Sequence, residues 1–172
     1  MRMRIIIFYI SVLSLSFCYS QNTKSNFYAF KNGEKLEYKL NYGFLNASYA
    51  SLTLKEELLD GQKVFRATSI GRTTGLARLF FKVEDIYETF FPMDNVKPIK
   101  SIRDIYEGGY EREAETEYDY ETNTAFFYDK LKNVNKEFKI HSEIQDIIST
   151  FYYLRKHLDI SLLKPNDLIY VD

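Results

Sequence analysis

The chain is constrained most by a two-residue alternation of side-chain character that recurs along its length. Between residues 35 and 44, one set of alternate positions is aliphatic or aromatic: Leu36, Tyr38, Leu40, Tyr42 and Phe44. Between residues 110 and 119, five acidic residues alternate with Tyr110, Arg112, Ala114, Thr116 and Tyr118. Because successive side chains of a strand point to opposite faces, this alternation predicts half-buried β-strands.

Turn residues separate the predicted strands and indicate that neighbours in sequence form hairpins. Asp60-Gly61 joins a strand at 46–58 to its return at 62–71, and Gly108-Gly109 joins 96–107 to 110–119. A strand at 82–91 ends at Pro92, because proline removes a ladder donor. Further predictions are a short helical turn that begins at Thr74, and a hairpin of 124–129 with 134–140.

The hydrophobic period then changes from two residues to about 3.6. Ser142 and Gln145 have the spacing of a capping box, and apolar residues follow at helical spacing, which predicts an amphipathic helix over 143–158. We therefore expect a mainly β fold: a curved antiparallel sheet, either a barrel or a half-barrel, with one amphipathic helix packed on its inner face.

The N-terminal residues have the layout of a cleaved secretory signal. Arg2 and Arg4 precede an uncharged apolar run, and small residues lead to Ser20-Gln21, so residues 1–20 are interpreted as a signal peptide. The apolar run is too short for a spanning helix. Residues 21–29 would form a flexible leader and 30–172 a single β-rich domain. We expect that domain to be truncated at its C-terminus, because a new strand opens at Leu168.

Export sets the compartment and the charge of the mature chain. We expect a periplasmic or cell-envelope protein without lipid at Cys18, because bulky Phe17 occupies a position that lipoprotein signals reserve for small residues. Removing Arg2 and Arg4 from 23 basic residues, against 24 acidic ones, leaves a net charge of −3. This balance argues against nucleic acid as a partner. The mature chain contains no cysteine and no predicted transmembrane helix.

No pattern for catalysis or metal binding stands out. The G-x-S-x-G elbow, paired cysteines and the H-x-x-x-H spacing are absent. His141 and His157 flank the predicted helix, where exposed structural roles are the commoner ones. We expect no catalytic residue, no metal and no cofactor.

Charged residues on otherwise apolar strand faces are the candidate binding residues. A buried charge needs a partner or a polar ligand. One interpretation is an internal Asp85–Arg103 salt bridge, assisted by a tyrosine hydroxyl; the other is a pocket where arginines meet an acidic head group. We favour the salt bridge. The candidates for either role are Arg72, Thr73, Asp85, Arg103, Tyr106, Tyr110 and Arg112.

Four longer strings carry a family resemblance: FKNGEKLEY at 30–38, IGRTTGLARLFFKVEDIYE at 70–88, RDIYEGGY at 103–110 and QDIISTFYYLR at 145–155. Together they resemble the domain of unknown function 3108 family, exported proteins of Gram-negative bacteria. The resemblance implies a periplasmic location and a β-rich fold, and it assigns no chemistry. Within these strings we interpret Ser149 and Tyr152 as residues that dock the helix.

Three functions follow as expectations. The first is a non-catalytic carrier or binding module for an apolar or amphipathic molecule such as a lipid. The second is an envelope scaffold that binds another protein, and the third, least supported, is a hydrolase of envelope polymers. A cavity of several hundred Å³ would favour the first. A filled core with an exposed apolar patch would favour the second.

Overall fold

The fold was established from a computed structural model, which describes residues 29–43 and 45–170. The predicted signal peptide, and the leader as far as residue 28, lie outside the described residues. Within these residues, eight strands and two α-helices follow one another: β1 Lys35–Tyr42, β2 Leu45–Leu59, β3 Gln62–Thr73, α1 Gly75–Phe80, β4 Val83–Pro92, β5 Lys100–Glu107, β6 Tyr110–Asp119, β7 Thr124–Asp129, β8 Val134–Lys139 and α2 Ile147–His157.

All eight strands form one antiparallel sheet in chain order, from β1 to β8. The predicted hairpin turns are confirmed. At the first turn Asp60 and Gly61 both have positive φ, 50° and 81°, as a two-residue hairpin requires. Gly108 also has a positive φ, 56°, and a Cβ there would lie 2.2 Å from the ring of Phe81. Glycine is therefore favoured at 108 by the backbone conformation, and a larger residue there would displace the ring of Phe81.

One face of the sheet, which we call the inner face, carries the core beneath α2. Its centre is an aromatic cluster in which the ring of Tyr152 lies 4.9 Å from that of Phe30 and 5.5 Å from that of Phe91. Leu54 and Ala67 are fully buried beside it. The prediction that Ser149 and Tyr152 dock the helix is confirmed, since neither side chain is exposed.

Helix α2 begins later than the sequence predicted, and with a different cap. Asp146 is the N-cap: its side chain accepts from the backbone N–H groups of Ile148 and Ser149, and the Ser149 hydroxyl accepts from the Asp146 N–H. The predicted capping box of Ser142 and Gln145 is wrong, because both residues precede the helix. Asp146 prevails because its carboxylate also accepts from Thr89 of β4, at 2.8 and 2.9 Å.

The sheet is open over the described residues, so a closed barrel, one of the two predicted forms, is not present there. Helix α2 packs on β3 and β4, which leaves the inner face of β5–β8 beside it without a helical cover. Residues 168–170 are not in a strand, contrary to prediction. Among the described residues, no helix combines the length and apolarity needed to cross a bilayer.

Candidate functional site

A groove of about 400 Å³ lies on the inner face of β5–β8, next to the N-terminal end of α2. We call it the basic groove, after the three cations that line it: Arg103, Arg112 and Lys136. Its other walls are mainly apolar and aromatic: Tyr118, Ala125, Phe127, Phe138, Ile140 and Ile144. Strand alternation explains the composition, because every second residue of β5–β8 faces this side.

Arg103 lies on β5 at the side of the groove closest to α2. It pairs in register with Tyr87 of β4 and with Ala114 of β6. Within the described part of the chain no carboxylate oxygen lies within 4.0 Å of its guanidinium. A half-buried guanidinium without a carboxylate partner is suited to an anionic ligand.

Arg112 is held over an aromatic ring but is weakly paired. Its guanidinium lies 5.7 Å from the ring centre of Tyr110. Its Nε is 3.9 Å from the buried carboxylate of Asp129, beyond hydrogen-bond range, and has no hydrogen-bond partner in the described chain. Of the residues that the structure describes, Asp129 is the one acidic side chain within 4.0 Å of the three cations of the groove, so the groove carries a net positive charge.

The apolar wall of the groove is formed largely by the last hairpin. The rings of Phe127 and Phe138 pack edge to face with their centres 6.5 Å apart. At the other end, the hydroxyl of Tyr118 lies 3.3 Å from that of Ser101. Burial raises the pKa of Tyr118 above its ordinary value, so this hydroxyl stays neutral and can serve as a hydrogen-bond donor.

The predicted Asp85–Arg103 salt bridge is wrong, although the two residues share the inner face. Asp85 is in register with Ile105, one position away along that face, and its carboxylate accepts a hydrogen bond from the backbone N–H of Tyr106 at 3.2 Å. Burial raises the pKa of Asp85, and repulsion from Glu107 and Asp104 adds to the rise. Asp85 therefore leaves Arg103 without its expected counter-charge.

The remaining candidates are dispersed. Arg72 stacks over Tyr49, with 5.3 Å between the guanidinium and the ring centre, and Lys82 stacks over Tyr106 at 4.5 Å. Thr73 closes the base of α1: its hydroxyl donates to the Phe81 carbonyl and accepts from the Val83 N–H. The structure thus brings Arg103 and Arg112 to the groove. Tyr110 stacks with Arg112 but does not line the groove, and Asp85 lies on the same inner face. Arg72, Thr73 and Tyr106 lie at the α1 end of the sheet.

Sequence reasoning missed Lys136, Phe127 and Phe138. Their alternation within residues 124–139 is visible, but only the pairing of β6, β7 and β8 sets them beside Arg112. A larger opening, about 670 Å³, lies across the other face of this hairpin and is lined by Glu115, Glu117 and Glu137. It is acidic, and in the described residues no cluster of His, Cys, Asp or Glu is arranged to hold a metal ion.

Fold and groove together define an open antiparallel β-sheet protein with a helix over one half of its inner face and a basic groove over the other. The model of the family described as "Protein of unknown function (DUF3108)" matches residues 37–171, and the chain belongs to this family. No curated protein and no solved structure matches the chain.

Proposed function

We propose that the protein is a non-catalytic binding module of the cell envelope that holds an anionic amphipathic molecule in the basic groove. The observation that carries the proposal is the half-buried Arg103, which faces an apolar groove without a carboxylate within 4.0 Å in the described chain. An acid head group would supply the missing counter-charge, and the aromatic wall would receive an alkyl tail.

The shape and lining of the groove support this class of ligand. Its volume of about 400 Å³ lies in the range of small-molecule sites, which are usually apolar with a few polar groups that fix orientation. Arg103 and Arg112 supply planar donors that match a carboxylate or phosphate. Lys136 adds a flexible cation at the open rim on edge strand β8.

The energetics favour binding over a purely structural role for these arginines. A hydrogen bond to a charged group contributes about 1.5–3 kcal/mol, more than a neutral one. The guanidinium of Arg103, which has no carboxylate oxygen within 4.0 Å in the described chain, has such a bond still to gain. A ligand that satisfied both guanidinium groups would therefore gain affinity without breaking an internal ion pair of Arg103.

Calorimetric titration with dodecyl phosphate and dodecanoate measures how Arg103 and Arg112 contribute to binding. We expect both amphipaths to bind the wild-type protein. Arg103→Gln and Arg112→Gln should each weaken binding by about 10- to 100-fold, the equivalent of one charge-assisted hydrogen bond. Dodecyltrimethylammonium, with the same tail and the opposite charge, should bind far more weakly.

Lys100→Gln is the matched control, because Lys100 is a strand cation that pairs with Glu115 and Glu117 rather than facing the groove. Its affinity should equal that of the wild type. Thermal melts should show that the arginine variants remain folded. Equal binding of the anionic and cationic amphipaths, or full binding by the Arg103→Gln/Arg112→Gln double variant, would refute the proposal.

Envelope location is the second part of the proposal, and it is supported by the order of charge, apolar run and small residues at positions 1–20. We expect protein recovered from the envelope to begin at or near Gln21. Intact-mass analysis would test this. A dominant cytoplasmic species that retains Met1 would contradict it, and a diacylglycerol-sized mass at Cys18 would indicate a lipoprotein instead.

A further inference from the structure

Helix α1 carries an exposed apolar cluster at one end of the sheet. The side chains of Leu79 and Phe80 are 79% and 88% exposed, and those of Leu76 and Phe81 are each 54% exposed. We call these four residues the apolar tip. Soluble proteins rarely expose large apolar side chains together unless the patch contacts a partner or a membrane.

Hydrogen bonds hold the two ends of the segment that carries the apolar tip. Thr73 bonds to the Phe81 carbonyl and the Val83 N–H, as described above. The Thr74 N–H donates to the Ala47 carbonyl at 3.0 Å, and the Gly108 N–H donates to the Lys82 carbonyl at 2.8 Å. These bonds tie both ends of the segment to neighbouring strands, so little backbone freedom remains to be lost on binding.

Cations surround the tip. The segment 72–82 contains three basic residues, Arg72, Arg78 and Lys82, and no acidic residue. Arg78 and Lys82 share one carboxylate, that of Glu84, at 2.6 Å each. The next acidic residues are Asp85 on β4, which is buried, and Glu107 on β5, which is in register with Val83. An apolar end with positive charge behind it matches a lipid surface, where acyl chains lie beneath anionic head groups.

We propose that the apolar tip docks the protein on an anionic lipid bilayer, with Leu79 and Phe80 inserted among the acyl chains and the cations at head-group level. A bilayer is a better match than a protein partner because the most exposed side chains, those of Leu79 and Phe80, lie together at the end of α1 rather than on a flat patch. Protein interfaces gain their energy from anchors seated in packed pockets. This inference does not depend on the ligand of the basic groove.

The chain contains no tryptophan, so a single introduced one reports its own surroundings. Phe80→Trp would be mixed with vesicles of phosphatidylglycerol and phosphatidylethanolamine in equal parts. Leu58→Trp is the matched control, because Leu58 is 66% exposed and lies by the Asp60-Gly61 turn at the other end of β3. We expect a blue-shifted emission, quenched by brominated acyl chains, for the first variant and no change for the second.

Sedimentation with the same vesicles gives the second readout. Leu79→Ser/Phe80→Ser should lower the vesicle-bound fraction about tenfold or more, while Leu58→Ser should leave it unchanged; both variants replace exposed side chains and should keep the wild-type melting temperature. Wild-type binding by the double variant, or an unshifted Phe80→Trp emission, would overturn the inference. So would a dimer in light scattering that the double variant abolishes, since a second copy would then cover the tip. Lys100→Gln removes a cation that lies outside both the groove and the tip, and it should sediment like the wild type.

Discussion

Replacing Tyr152 by alanine is expected to lower the free energy of unfolding by about 3–5 kcal/mol, the usual cost of removing a buried aromatic side chain. Tyr152 is fully buried and contacts the rings of Phe30, Phe91 and Phe151, with centres 4.9–5.5 Å apart. It is the main anchor of α2 on the sheet. Urea unfolding followed by circular dichroism would measure the loss. A change below about 1 kcal/mol would mean that α2 does not pack as described.

Tyr152→Phe is the matched control for the hydroxyl. The Tyr152 Oη is buried and has no hydrogen-bond partner within the described chain. Burial raises the pKa of Tyr152 well above its ordinary value, so the hydroxyl is neutral at physiological pH. Because an unpaired buried hydroxyl is costly, phenylalanine should leave stability unchanged or raise it by up to about 1 kcal/mol. A large loss would show that the hydroxyl has a partner.

Asp146→Ala should cost about 3 kcal/mol, the second-largest expected effect. Loss of an N-cap typically costs about 1 kcal/mol. Here the substitution also strands the buried hydroxyl of Thr89, which donates to Asp146, at a further cost of about 1–3 kcal/mol. The same urea experiment measures it. A loss no greater than that of an ordinary surface substitution would contradict the assigned cap.

Two further variants sharpen the test of the cap. Ser142→Ala should be neutral, because Ser142 lies outside α2, whereas the capping box predicted from sequence would make it costly. Asp146→Asn keeps an acceptor and should cost less than alanine.

Burial raises the pKa of Asp146 in the folded state. The folded protein then binds that proton more tightly, so this group's contribution is greatest below its ordinary pKa and falls as pH rises through the raised value. Asn should remove that slope.

Local signals in the sequence were sufficient for the strands and turns. Period-two alternation located β1 and β6, and the Asp60-Gly61 and Gly108-Gly109 turns located the β2–β3 and β5–β6 hairpins, because both signals depend on neighbours within a few residues. The start of α2 was not accessible in the same way. Ser142 and Asp146 both have capping chemistry, and a contact with Thr89, 57 residues earlier, decides between them. The degree of closure of the sheet is likewise a property of all eight strands together.

Part of the candidate site could be predicted from the sequence. Arg103 and Arg112 stood out as charges on apolar faces, and both line the groove. The predicted salt bridge between Asp85 and Arg103 was wrong because it required the exact register of β4 and β5. Asp85 is in register with Ile105, and this offset of two residues along the same face removes the contact. Phe138 and Lys136 were missed because two successive strand pairings, β6 with β7 and β7 with β8, must be known before they can be placed near Arg112.

Methyl NMR during a titration with dodecyl phosphate would show whether the ligand binds in the basic groove. Ala125, Ile140 and Ile144 line the basic groove, whereas Ala67 and Ile148 lie in the core between the sheet and α2. We expect saturable shifts of the methyl signals of Ala125, Ile140 and Ile144, small shifts of those of Ala67 and Ile148, and loss of these effects in Arg103→Gln/Arg112→Gln. Shifts confined to Leu76 and Leu79 of α1, or no shift in the groove at saturating amphipath, would contradict the proposed binding site.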